Sequence, residues 1–257
     1  MDLGLSGRTA LVTGASRGIG RGIADALAAE GCHLELVARN AEMLQSLAES
    51  LAGEHGVRAR AYALDLGDPA NQKTVVAACG HADIVVNNAG ATQPGEIDEV
   101  DEDAWMEGWQ LKVFGYINMT RHYWRIMKAR GSGVIVNIVG DSGERPVATV
   151  ISSSTANAAL IAFTRALGGC SPRFGFRVVG VNPAGIETDR VYWYMRARAE
   201  RTLGSADRWP ELLGDLPFGR MGAPKDIGAM VAFLASDQAS YISGCIMSVD
   251  GGRAARP

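Results

Sequence analysis

The chain has 257 residues, 47% of them hydrophobic and 21% charged, a balance that builds a sizeable core and excludes a disordered polymer. Its net charge of −3 excludes the broadly basic face that nucleic-acid binding requires. No apolar run reaches the length of a membrane span, the stretch Met1–Arg8 lacks the features of a secretory leader, and Cys32, Cys79, Cys170 and Cys245 are scattered without a CxxC pair, so the expectation is a cytoplasmic protein with reduced thiols, no metal site and no membrane partner.

Short β-rich apolar runs alternate with helical stretches along the whole chain. Thr9–Thr13 reads as a buried strand, followed by a helix over Gly18–Glu30 with small or apolar residues at helical spacing. Leu34–Ala38 is a second strand and Ala41–Leu51 a second helix. Further strands are expected at Ala59–Leu64, Ile84–Asn87, Gly133–Ile138 and Val178–Asn182, with a last one at Ile246–Val249 before Asp250-Gly251-Gly252. Strands separated by single helices imply right-handed crossovers, hence an α/β protein with a doubly wound parallel sheet of about seven strands and helices on both faces. Nothing in the composition splits it, so residues 1–257 read as a single domain. Residues 190–221 break the rhythm: they carry Tyr192, Trp193, Tyr194, Trp209 and Phe218 but no strand. Because they follow a strand's carboxyl end, where doubly wound sheets bind ligands, they are the expected substrate lid; a surface insertion with its aromatics in a subunit contact is the other reading.

The first strand runs into Thr13-Gly14-Ala15-Ser16-Arg17-Gly18-Ile19-Gly20 and then a helix. Glycines there let backbone approach a phosphate closely, and a helix start offers free N–H groups and partial positive charge. The second strand ends Val37-Ala38-Arg39, with no acid where a ribose 2′-hydroxyl would be held. Arg17 and Arg39 together suit a 2′-phosphate, which favours NADP(H) over NAD(H).

The TGxxxGIG spacing resembles that of the short-chain dehydrogenase/reductase family, and the resemblance extends over nearly the whole chain. Asn87-Asn88-Ala89-Gly90 is similar to the family's NNAG element, and Asp65-Leu66 to its adenine-contacting position. Asn182-Pro183-Ala184-Gly185-Ile186-Glu187-Thr188 is similar to its PGxxxT stretch, with Ala184 in place of the expected glycine, and Val249-Asp250-Gly251-Gly252 to its closing signature. The resemblance implies a Rossmann-type fold and a dinucleotide held by Gly14, Ser16, Arg17, Gly18, Ile19, Gly20, Arg39, Asp65, Leu66, Asn88, Ala89, Gly90, Pro183, Ala184, Gly185, Ile186 and Thr188. It also implies a homotetramer or homodimer acting on a small molecule.

The family's catalytic Asn, Ser, Tyr and Lys do not appear. A gap-free alignment puts Gly140 at the serine, Ser153 at the tyrosine, Asn157 at the lysine and Lys112 at the asparagine, and no tyrosine in the chain has a lysine four residues later. A phenol titrates near pH ~10 and a neighbouring cation brings it lower, whereas a serine hydroxyl is a far weaker acid and Asn157 supplies no charge. Lys112 is the leading substitute proton donor, with Asp141, Ser142, Glu144 and Arg145 in the same neighbourhood; Asp141 and Glu144 also read as a solvated loop, and Lys112 as a salt-bridged helix residue. His33, His55, His81 and His122 sit away from every motif. Two functions remain open at this point: an oxidoreductase with a rebuilt proton path, or a protein that binds the dinucleotide without redox turnover as a non-redox enzyme or regulatory subunit.

Overall fold

A computed structural model describes residues 2–255. Seven parallel strands form one sheet in the order β3-β2-β1-β4-β5-β6-β7: β1 Thr9–Thr13, β2 His33–Ala38, β3 Ala59–Ala63, β4 Ile84–Asn87, β5 Val134–Ile138, β6 Arg177–Pro183 and β7 Ile246–Val249. Every strand lies within a residue or two of its expected place. Central strands are buried on both faces, so they read as continuous apolar runs, as parallel sheets require. Ala10, Val12, Ile84, Val86, Val134 and Val136 point to one face. There they meet α1 Gly18–Ala29 and α2 Ala41–His55, the second of which runs a turn beyond its expected end. Leu11, Val85 and Ile135 point to the other face, against α3 Pro69–Cys79 and the long rod of α4 Glu102–Trp109 and α5 Gly115–Arg130. Helices α6 Ile151–Cys170, α7 Asp189–Leu203 and α8 Pro224–Ala235 complete the layers.

Two local features position the site. Between α4 and α5, Gln110–Phe114 form a single π turn, so the rod continues but its side chains are rotated out of α-helical register. Lys112 sits in that turn. Residues after Thr188 make a small unit of their own, in which α7 packs on the 3₁₀ stretch Ala206–Asp215 through Met195, Ala199, Leu212 and Trp209. Among the described residues no helix is long and apolar enough to cross a membrane, and no group of three His, Cys, Asp or Glu is placed to hold a metal ion.

Neighbouring glycines in α6 test this packing. A Cβ on Gly168 would lie 2.2 Å from Gly244 N and 2.4 Å from Val178 O, both backbone, whereas one on Gly169 would meet nothing within 4 Å. Gly168→Ala is expected to destabilise the fold by about 1–3 kcal/mol or more. Gly169→Ala should be neutral or stabilising by up to about 1 kcal/mol. Urea unfolding of the two variants checks the contrast.

Candidate functional site

The carboxyl ends of the strands open into a cleft of about 1610 Å³. That exceeds the roughly 300–1,000 Å³ of a drug-sized ligand site and leaves room for a dinucleotide beside a smaller molecule. Its centre is the turn from β1 into α1. Helices α2, α3, α4 and α7 start under side-chain caps from Asn40, Asp68, Asp101 and Thr188. Helix α1 has no such cap and no acid in its first turn, so its N–H groups face the cleft among Gly14, Ser16, Arg17, Gly18, Ile19 and Gly20. A free helix start of this kind suits a diphosphate. The turn is tight: a Cβ at Gly20 would stand 2.1 Å from Gly14 O and 2.6 Å from Asn88 Nδ2.

Residues from the other motifs close around this point. Arg39, Asp65 and Leu66 line one end of the cleft, with Arg39 Nη1 3.9 Å from Asp65 Oδ2. Arg17 Nη1 lies 3.3 Å from Asp189 Oδ2. Asn88, Ala89 and Gly90 continue from β4, and Pro183, Ala184, Gly185, Ile186 and Thr188 from β6. All of these were legible as motif residues.

The floor is built by Lys112. Its stem crosses Gly90, where a Cβ would come within 2.5 Å of Lys112 Cδ. The amine donates to the carbonyls of Ile138 at 3.0 Å and Val139 at 2.8 Å and lies 5.0 Å from the centre of the Tyr116 ring. No carboxylate pairs with it among the described residues, so the expected alternative of a salt bridge to a helix neighbour is not what the structure holds. Burial, with the Arg190 guanidinium adding to it, brings the ammonium down from 10.5 to about 7.

On α6, Asn157 Nδ2 donates to Ser142 Oγ at 3.0 Å and reaches Ser153 Oγ at 3.5 Å, while its Oδ1 is buried without a partner. Gly140 has φ 140° and ψ 141°, and its N–H donates to Asn182 Oδ1 at 3.2 Å. A Cβ there would stand 2.6 Å from Asn157 Nδ2. Asp141 and Glu144, one reading of which was a solvated loop, are tied down: Asp141 Oδ2 lies 3.8 Å from Arg253 Nη1 and Glu144 Oε1 3.0 Å from Arg165 Nη2. Only Asp141 and Ser142 of that stretch line the cleft, and burial raises the Asp141 carboxyl. Arg145 instead donates to the carbonyl of Arg253 at 2.5 Å.

Sequence reasoning missed three members of the site. Thr92 and Arg190 meet at the cleft wall, Arg190 Nη2 donating to Thr92 O at 2.9 Å and to its Oγ1 at 3.3 Å. Asn182 orients the Gly140 backbone. Arg190 lies two residues past the PGxxxT-like stretch, which is the one signal that pointed toward it.

An uncapped helix start at the reversal of a doubly wound sheet, with polar groups gathered beyond it, defines a dinucleotide-binding enzyme scaffold. Residues 8–196 match the family model described as short chain dehydrogenase, and the chain belongs to that family. It is 32% identical over 256 residues to the 2,3-dihydro-2,3-dihydroxybenzoate dehydrogenase of Bacillus subtilis, covering 97% of each chain. It is 33% identical over 254 residues to a 3-oxoacyl-(acyl-carrier-protein) reductase of Salmonella typhimurium, covering 97% of this chain and 98% of that one. Among solved structures, the L-sorbose reductase of Gluconobacter frateurii, complexed with NADPH and L-sorbose, superposes with a TM-score of 0.92 at 32% identity and 100% coverage of both chains. The protein is an NAD(P)-dependent oxidoreductase of the short-chain type.

A serine at position 140, where the resemblance places the family's own, has a structural cost. Gly140→Ser forces a side chain into left-handed backbone and against the Asn157 amide, and is expected to destabilise the protein by about 1–3 kcal/mol without creating new reductase activity. Thermal unfolding together with a carbonyl-reduction assay checks both halves; wild-type stability would show that this loop rearranges freely.

Proposed function

We propose that the chain reduces a small carbonyl compound, or oxidises the corresponding alcohol, with NADP(H) as its preferred cofactor and Lys112 as the acid–base group. One observation carries this reading. Lys112 is a lysine held on the cleft floor by two carbonyls, with burial bringing its ammonium to about 7; the resemblance puts Ser153 and Asn157 at the family's tyrosine and lysine. When bound, the nicotinamide supplies or takes up a hydride. The chain's own part is the proton: Lys112 gives it to the substrate oxygen in reduction and takes it back in oxidation. The neutral amine still has two N–H groups for Ile138 and Val139, so the nitrogen stays in place in either state. Both states are populated near neutral pH, the condition for general acid–base catalysis worth about 10²–10⁴-fold. Ser142 and Ser153, bridged by Asn157, offer hydroxyls to orient the oxygen.

NADP(H) is favoured by Arg17 and Arg39 at the adenosine end and by the lack of an acid after β2. The NADPH of the L-sorbose reductase complex and a relative from Bacillus subtilis named as an NADPH-dependent reductase support it. Residues 190–221 serve as the lid, with Tyr192, Trp193 and Tyr194 on the cleft side. Assembly into a homodimer or homotetramer uses the α4–α5 rod, where Met106 and Phe114 stay exposed. A cytoplasmic setting agrees with four cysteines that are all free.

Fluorescence titration should give tighter binding of NADPH than of NADH, with Arg39→Asp shifting the balance toward NADH. Equal affinities in the parent protein would sink the preference.

Lys112→Met should cost roughly 100-fold or more in turnover while leaving NADPH affinity within a factor of about three. The protonated amine is the form reduction needs, so the parent's reduction rate should fall as pH rises through about 7. The folded pKa is depressed, so the unfolded chain holds the extra proton between about 7 and 10.5, and stability should rise with pH across that window. Both pH dependences should vanish in the variant. Unchanged turnover would remove Lys112 from the mechanism, and NADPH binding by the parent with no carbonyl ever reduced would favour a protein that holds the cofactor without redox turnover.

A further inference from the structure

The arginines of the cleft fall into two kinds. Arg17, Arg21, Arg39 and Arg253 each lie within 4.0 Å of a carboxylate, on Asp189, Asp25, Asp65 and Asp141 respectively. Arg190 has no carboxylate partner among the described residues. Its Nη2 is spent on Thr92, at 2.9 Å and 3.3 Å, which fixes the plane of the guanidinium and leaves Nη1 and Nε unused. Lys112 is near enough to feel its charge, and it too is held by neutral carbonyls with no acid beside it. So Lys112 and Arg190 are two cations of the cleft with no ion pair among the described residues, while Asp141, Glu187 and Asp189, which also line it, are engaged by Arg253, Tyr192 and Arg17. The Lys112 ammonium is already buried, and filling the cleft with a ligand strips water from the exposed Arg190. Desolvating a lone cation is unfavourable unless the incoming molecule brings a negative charge.

We infer that Arg190 recognises a carboxylate on the substrate, so that the substrate class is an oxo acid or hydroxy acid rather than a neutral sugar or ketone. This rests on the reading of the cleft as the site of carbonyl reduction, with the reacting oxygen at Lys112. A guanidinium fixed through Nη2 by Thr92 keeps Nη1 and Nε as donors that point to different sides, and either can give a carboxylate one charge-assisted hydrogen bond. Thr92 is therefore a positioning residue: it touches the arginine, not the substrate. The anionic groups of the cofactor have other partners in the open end of α1 and in Arg17 and Arg39. Lys112 stays free for its proton; burial, the larger cause of its lowered pKa, remains, and a carboxylate near Arg190 offsets the smaller contribution of that guanidinium.

The test uses binding, so that it does not depend on turnover. The intact protein, saturated with NADP⁺, is titrated calorimetrically with benzoate and with benzamide, which share a shape and differ in charge. Benzoate should bind about tenfold or more tightly than benzamide, the effect of one charge-assisted hydrogen bond. Arg190→Gln keeps a donor for Thr92 but loses the charge, and should abolish the difference; Arg190→Lys should retain part of it. NADP⁺ affinity should be unchanged in both variants. Equal binding of the two probes by the parent, a preference that survives Arg190→Gln, or a loss that falls on NADP⁺ affinity would each overturn the inference. Reduction of benzoylformate against its methyl ester is followed separately. Benzoate selectivity with no NADPH oxidation on any carbonyl would leave the anion site standing and bring down the oxidoreductase reading instead.

Discussion

The whole arrangement depends on how closely β1 and β4 approach where the sheet reverses direction. Thr13 Oγ1 accepts from the N–H groups of Asn88 at 2.9 Å and Ala89 at 3.0 Å and donates to Val86 O at 3.1 Å. Asn88 Nδ2 returns the contact by donating to Thr13 O at 2.9 Å and Gly14 O at 3.2 Å. Two strands far apart in sequence are thereby fixed at their ends, with no space for a side chain between them and α1. The same closeness holds the α1 start open toward the cleft and lets Lys112 pass over Gly90. A packing constraint on glycine thus sets the position of both the anion cradle and the cation on the floor.

The resemblance implies asparagine where this chain has Lys112 and lysine where it has Asn157, so on that alignment the two residue types are interchanged between neighbouring helical elements. On that alignment the positive charge is retained but comes from the α4–α5 rod instead of the adjoining α6. The remaining changes fit around the exchange: the Asn157 amide occupies the space that a side chain at position 140 would need, and Gly140 adopts backbone that suits only glycine. Since these residues touch, their substitutions are expected to couple rather than add. A single reversion meets a neighbour already adjusted to its absence.

The strands and the cradle were legible because their signals are local. Val-rich runs such as Ile84-Val85-Val86 are buried on both faces, and the glycines of the β1–α1 turn are close in sequence. What escaped is what depends on approach through space. The π turn carries no compositional mark, yet it aims Lys112 at the carbonyls of β5. The buried ladder running from Thr120 through Asn87 and Asn137 to Thr164 joins two strands and two helices that no periodicity relates. Glu35 sits inside an apolar-looking strand, 3.1 Å from His81 Nε2, which gives a histidine with no motif a structural role. The fixing of Arg190 by Thr92 spans 98 residues, and no pattern at either end predicts it.

The junction of the α7 unit with the body bears on the electrostatics at Lys112, because Arg190 belongs to that unit. Beyond its own small core, it is held by the exposed Arg17–Asp189 pair, the Arg190–Thr92 hydrogen bonds and the parallel bridge between Ile186 and Gly222. An exposed ion pair contributes only about 0–1 kcal/mol. Helix α7 is thus tied to the body chiefly by polar contacts, although its neighbouring β6 is among the most buried elements. Arg190 belongs to α7 and Lys112 to the opposite rod, so the electrostatic part of the Lys112 shift depends on the separation of the two walls. Burial supplies the larger part and is set by the rigid floor. On the proposed reading, the Lys112 ammonium is lowered chiefly by its burial in the floor and in smaller part by the Arg190 guanidinium carried on α7.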